Sequence, residues 1–170
     1  MIEALFDLLG TFYQSGELAQ AEWIARSILQ AIPDDIVSLQ FLGLLLYRTA
    51  RRSEAMQAFN AADIDTSAAP PAAAVPPDLR ASAQCLRAAS GHGSALAGAW
   101  YDLGLLFFRL GRYGQALAAL QAALAARPDY QAAKTAVARI AGFSAHREAH
   151  SKRQHLAPAG THTTAKRASK

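Results

Sequence analysis

The sequence predicts an all-α protein built as an array of helical hairpins, and three observations carry that prediction. Alanine, leucine, glutamine and arginine dominate while strand formers are sparse, a mixture that favours helix. One spacing of small and large apolar residues occurs three times along the chain. Gly16 and Gly111, and Pro33 and Pro128, fall between the periodic segments and punctuate them.

In chain order, Leu5, Leu8, Leu9 and Phe12 share one face of a first helix, which Gly16 ends. Ala21, Ala25 and Ile28 form the facing stripe of a second helix, and Pro33 stops it. The same offsets give Leu39, Leu42, Gly43 and Leu46, then Ala55, Phe59, Ala62 and Ser67. Here Ala50 stands where the turn glycine is expected, at some loss of turn stability. The third copy is the sharpest: Trp100, Leu103, Gly104 and Phe107, a turn at Gly111, then Ala116, Leu120, Ala123 and Pro128. Gly43, Gly104, Ala55 and Ala116 are small where two helices approach closely, and large residues fill the space beside them. Residues 131–143, QAAKTAVARIAGF, present Ala133, Val137 and Ile140 on one face and leave Lys134 and Arg139 on the wet side.

Between the second and third copies lies DTSAAPPAAAVPPD, holding four of the chain's seven prolines. No helix survives that density, so the stretch reads as an extended, semi-rigid loop. Asp78 can cap a short helix carrying Leu79, Ala83 and Leu86, Gly91 and Gly93 end it, and Ser94 can cap the helix that follows. A continuous core normally needs at least three stacked hairpins, which favours direct stacking of the third copy on the second over a wedged insert helix.

Written out, the third copy is W-x2-L-G-x2-F-x8-A-x3-L-x2-A-x4-P. This resembles the tetratricopeptide repeat family, whose unit is a helix-turn-helix of 34 residues. The resemblance implies a right-handed α-solenoid of three helix-turn-helix repeats with a C-terminal capping helix. Repeats one and two then fall within 1–69 (2–35 and 36–69), a Pro/Ala-rich insert with a short helix within 70–96, and repeat three at 97–130. The capping helix takes 131–143, and a basic, histidine-containing tail, disordered by composition, takes 144–170.

In that family the first helices of successive repeats line a concave groove that binds peptides. Phe107 belongs to the buried face, while the face one step round carries Tyr101, Leu105, Phe108 and Arg109. Carrying the offsets back adds Leu44, Tyr47 and Arg48 from the second repeat and Phe6 and Tyr13 from the first. Apolar and aromatic side chains edged by two guanidinium groups suit an amphipathic or apolar peptide segment bearing an acidic group. The family's chaperone-binding members clamp a terminal carboxylate with lysine, asparagine and arginine. Phe6, Gly10, Leu44, Tyr101 and Leu105 occupy those places here, which argues against that specificity. The resemblance thus implies a non-catalytic protein–protein interaction scaffold or adaptor, and a second reading is a small chaperone for exported proteins. Trp23, at an offset that is usually polar, offers a further contact or a self-association surface.

The net charge of +4 misleads until it is divided along the chain. Arg147, Lys152, Arg153, Lys166, Arg167 and Lys170 face only Glu148 in the tail, which leaves residues 1–142 nearly neutral. The tail suits weak electrostatic contact with anionic surfaces, but it has no interleaved aromatics for base stacking, so specific nucleic-acid binding is not expected. Cys85 is the single cysteine, which excludes an intrachain disulfide and a cysteine-based zinc site. His146 and His150 share a helix face but form only half a metal site, and HREAH lacks the zinc-protease order. GHGSALAG at 91–98 lacks the spacing of a phosphate-binding loop. No catalytic residue, metal or cofactor is therefore expected. The opening MIEALFDLLG has acids where a secretory leader has bases, and Asp102, Arg109 and Arg112 interrupt the best apolar run. A cytoplasmic protein with no transmembrane segment is the expectation.

Overall fold

Three turns with the same hydrogen bonds set the architecture. They lie within a computed structural model that describes residues 2–67 and 94–155, with side chains described over 2–63 and 95–143. Helices α1 (Ile2–Ser15) and α2 (Leu18–Ala31) meet at Gly16, α3 (Ile36–Arg48) and α4 (Arg52–Ser67) at Ala50, and α5 (Ala97–Arg109) and α6 (Tyr113–Ala126) at Gly111. A long helix, α7 (Gln131–His155), follows. At each turn the residue in left-handed conformation donates its N–H to the carbonyl three residues back, at 3.2, 3.2 and 3.1 Å, to Tyr13, Tyr47 and Phe108. The next N–H reaches back five residues, from Glu17 to Phe12, Arg51 to Leu46 and Arg112 to Phe107, each at 2.9 Å. This pattern satisfies the orphaned carbonyls at a helix end. The φ angles are +83° at Gly16, +76° at Gly111 and +64° at Ala50, so the alanine adopts the glycine geometry despite its Cβ.

The links between hairpins also repeat. Pro33 and Pro128 follow the ends of α2 and α6, and the N–H groups of Asp35 and Tyr130 each donate to a carbonyl three residues back, on Ile32 and Arg127. Asp35 then caps α3 by accepting from the Ser38 N–H at 2.8 Å.

Within the hairpins, a Cβ on Gly43 would lie 2.5 Å from the Phe59 ring and one on Gly104 2.7 Å from Leu120, so both are small because the opposing helix occupies that space. Between hairpins, α3 packs on α2, and the third hairpin rests directly on the second. Phe41 meets Trp100 at 4.5 Å between ring centroids, and Phe59 meets Phe107 at 5.1 Å. Trp100, Leu103, Phe107, Phe41 and Phe59 are all fully buried. An arginine from each later turn reaches back to its predecessor. Arg51 binds Glu22 of α2 at 2.9 Å, and Arg112 binds Asp63 and Asn60 of α4 at 2.8 Å each. Among the described residues the chain is thus an all-α helical repeat solenoid without strands.

Two points that differ from expectation have local causes. Helix α7 does not stop at Phe143 but continues to His155, slightly past the run-on to about residue 152 that the tail composition allows, because no proline or glycine interrupts SAHREAHSKRQH and alanine, arginine, lysine and glutamine sustain a helix. Ser94 does not cap α5. It opens a 3-10 turn, Ser94–Leu96, and Leu96 takes the cap position with no side-chain hydrogen bond, because that leucine turns inward and is fully buried. The expected proline loop, the helix from Asp78 and Cys85 lie outside the described residues, as do residues 156–170.

Candidate functional site

The concave face divides into a closed part on α1 and an open part spanning α3, α5 and α7. On α1 the register places Phe6, Gly10, Tyr13 and Gln14 toward the groove. The chain itself occupies that face. Gly10 lies so close to the Ala95–Leu96 backbone that a Cβ would stand 2.9 Å from the Ala95 carbonyl carbon. Gln14 Nε2 donates to the Ala95 carbonyl oxygen, and Tyr13 Oη donates to Asp102 Oδ2 at 2.7 Å. Phe6 and Tyr13 are consequently 4% and 5% exposed, so neither lines an open groove, contrary to the sequence-based assignment. The physical reason is the entry of residues 95–102 onto the face where a peptide was expected.

Arg48 completes this closure. Its guanidinium lies 4.9 Å from the Tyr13 ring centroid and 3.8 Å from Asp102 Oδ2, joining α1, α3 and α5 at one point. The Tyr13 hydroxyl is held well above the ordinary tyrosine range, foremost by burial and then by the hydrogen bond and negative charge of Asp102, with Arg48 acting in the opposite direction.

The open part consists of two clefts that share Leu105. One, of about 320 Å³, lies between α3 and α5 and is lined by Leu44, Tyr47, Arg48, Asp102, Leu105, Leu106 and Arg109. Leu44, only 3% exposed, forms floor rather than contact surface, a correction to its expected role. The other, of about 560 Å³, lies between α5 and α7, where Tyr101, Leu105 and Phe108 face Ala132, Thr135, Ala136, Arg139 and Ile140. Tyr101 packs its ring on Tyr130 at 5.2 Å, and Phe108 joins Tyr113 and Phe143 in a three-ring cluster with centroids 5.6–6.2 Å apart. Six of the nine expected residues therefore line these clefts above the floor: Tyr47, Arg48, Tyr101, Leu105, Phe108 and Arg109.

The α7 wall is what sequence reasoning missed. Its signal was present, since carrying Tyr101 and Leu105 forward by one further 34-residue unit lands on Thr135 and Arg139. The electrostatics of the two clefts are one-sided. Asp102 is taken by Tyr13 and Arg48, whereas Arg109 and Arg139 make no ion pair among the described residues. The clefts thus present an apolar and aromatic floor between cations.

Also among the described residues, no group of three or more histidine, cysteine, aspartate or glutamate side chains is placed to hold a metal ion, and no helix is long and apolar enough to cross a membrane. Residues 97–130, which form α5 and α6, match the family model described as tetratricopeptide repeat. Comparison with curated proteins and with solved structures returns no match.

Proposed function

The chain is a tetratricopeptide repeat protein, a family whose repeats generally mediate protein–protein interaction as non-catalytic scaffolds, and from that premise we propose that it captures an amphipathic peptide segment with acidic flanks in the two clefts around Leu105. The observation that carries this reading is the pairing of an apolar floor with Arg109 and Arg139, two cations without an ion-pair partner among the described residues. A helix laid along the face meets Tyr47 and Leu105 with its apolar stripe, then Tyr101 and Phe108, and its acids reach the arginines. Binding energy then concentrates in the aromatic contacts, and the arginines set which peptides are accepted.

The test uses two fluorescent helical peptides with the same leucine stripe, one flanked by glutamate and one by lysine, followed by anisotropy. The glutamate peptide is expected to bind and to weaken as salt rises. The Arg109→Glu/Arg139→Glu variant should lose at least about tenfold in affinity for it. Equal binding of both peptides removes the charge argument, and binding unchanged by Leu105→Glu removes the groove assignment. Affinity purification with mass spectrometry separates the adaptor from the chaperone reading, since recurrent exported partners support the latter.

A further inference from the structure

The first hairpin bears an uncovered version of the face on which the later hairpins stack. Leu42 and Leu46 on α3, and their counterparts Leu103 and Phe107 on α5, are buried. At the same register positions on α1, Leu8 is 46% exposed and Phe12 is only half-buried. These two side chains and Ala19, Gln20, Trp23 and Ile24 of α2 line a cleft of about 480 Å³ that contains no charged group. Trp23 stands in its wall at 69% exposure, the most exposed large apolar side chain among the described residues.

We propose that two copies of this chain meet head to head on this face about a two-fold axis, each Trp23 entering the cleft of the other copy. Three observations select a second copy. The face continues the register of the established hairpin-to-hairpin interface, so its shape fits another helical hairpin. It carries a projection, the indole, beside a recess, which is the self-complementarity that a two-fold contact requires. The cleft lining has no charge, so the two recesses meet without repulsion, and the gain comes from removing Trp23 and Leu8 from water. The opposite end of the array does not fit as well. Helix α7, which follows the third hairpin, carries the exposed Lys134, and any head-to-tail contact that covered this ammonium with the uncharged cleft would strip it of water.

Sedimentation equilibrium of the full chain over roughly two decades of concentration tests this. The expected result is a monomer–dimer exchange with no larger species, unchanged by salt, accompanied by a concentration-dependent blue shift in tryptophan emission from Trp23, since Trp100 is already buried. Trp23→Glu and Leu8→Glu, on different helices and both exposed, should each raise the dissociation constant more than about tenfold while keeping the thermal midpoint that the wild type shows when dilute enough to be monomeric. A monomer at every concentration, a dimer that survives both substitutions, or growth beyond a dimer overturns the proposal. The salt-dependent peptide binding at Leu105 is unaffected by either outcome.

Discussion

The concave sides of α1 and α5 occupy the same register, yet one is sealed and the other open. On α1 the groove positions are met by the backbone at Ala95 and by Asp102, while on α5 Tyr101, Leu105 and Phe108 border clefts. The difference teaches that repeat register selects a face but not its occupant. Where a long insert returns the chain to the array, the chain can fill its own groove.

The sharpest way to probe this contrast is the adjacent pair on α5. Phe107→Ala is expected to destabilise the fold by about 3–5 kcal/mol in urea unfolding, because a fully buried ring against Phe59 leaves a cavity. Phe108→Ala should cost no more than about 0.5–1.5 kcal/mol from its contacts with Tyr113 and Phe143, and should instead weaken peptide binding. Equal stability losses would erase the division between core and open face.

Next in size is the seal itself. Gly10→Ala places a methyl group against backbone rather than a movable side chain, and is expected to cost about 1–3 kcal/mol while increasing hydrogen exchange at residues 95–97. Unchanged exchange there would mean that the seal does not depend on this close approach.

Tyr13→Phe removes one hydrogen bond to a carboxylate and should cost about 1.5 kcal/mol. It also predicts a pH signature. The folded-state value of Tyr13 lies above its ordinary 10.0, so its stabilisation is fully present below pH 10.0 and is lost as pH rises toward the folded value. Alkaline denaturation of Tyr13→Phe should lack that part of the decline.

The smallest effect belongs to the surface ion pairs at the first junction. Burial alone would raise the Glu22 carboxyl, but hydrogen bonds from Arg26 and Arg51 outweigh it and hold the value below the ordinary 4.5. Its contribution is therefore present above pH 4.5 and lost on further acidification, and Glu22→Gln should flatten that limb by no more than about 1 kcal/mol.

Much of this was legible in the sequence because it is local. Neighbouring residues on a helix point about 100° apart, which separates Phe107 from Phe108 without coordinates. Gly16 and Gly111, Pro33 and Pro128 mark helix ends through backbone chemistry that belongs to single residues. The sealing of Phe6 and Tyr13 was not legible, because the Tyr13–Asp102 contact joins positions 89 residues apart across an insert and leaves no periodic trace. Leu44 sinks to the floor for a similar reason, since its depth depends on how closely α3 and α5 approach.

Ala50 bears on the order in which the array assembles. A left-handed alanine disfavours its turn by about 1–2 kcal/mol before any helix contact exists, whereas the glycines at 16 and 111 enter that conformation freely. The middle hairpin must then wait for α3 and α4 to find each other, while the outer two can begin at their turns. In a pulse-labelling refolding experiment the amides of Ala50 and Arg51 should gain protection later than those of Gly16 and Glu17 or Gly111 and Arg112. Ala50→Gly should remove the delay while changing equilibrium stability by no more than about 1 kcal/mol, because relief in the folded turn is offset by added freedom in the unfolded chain.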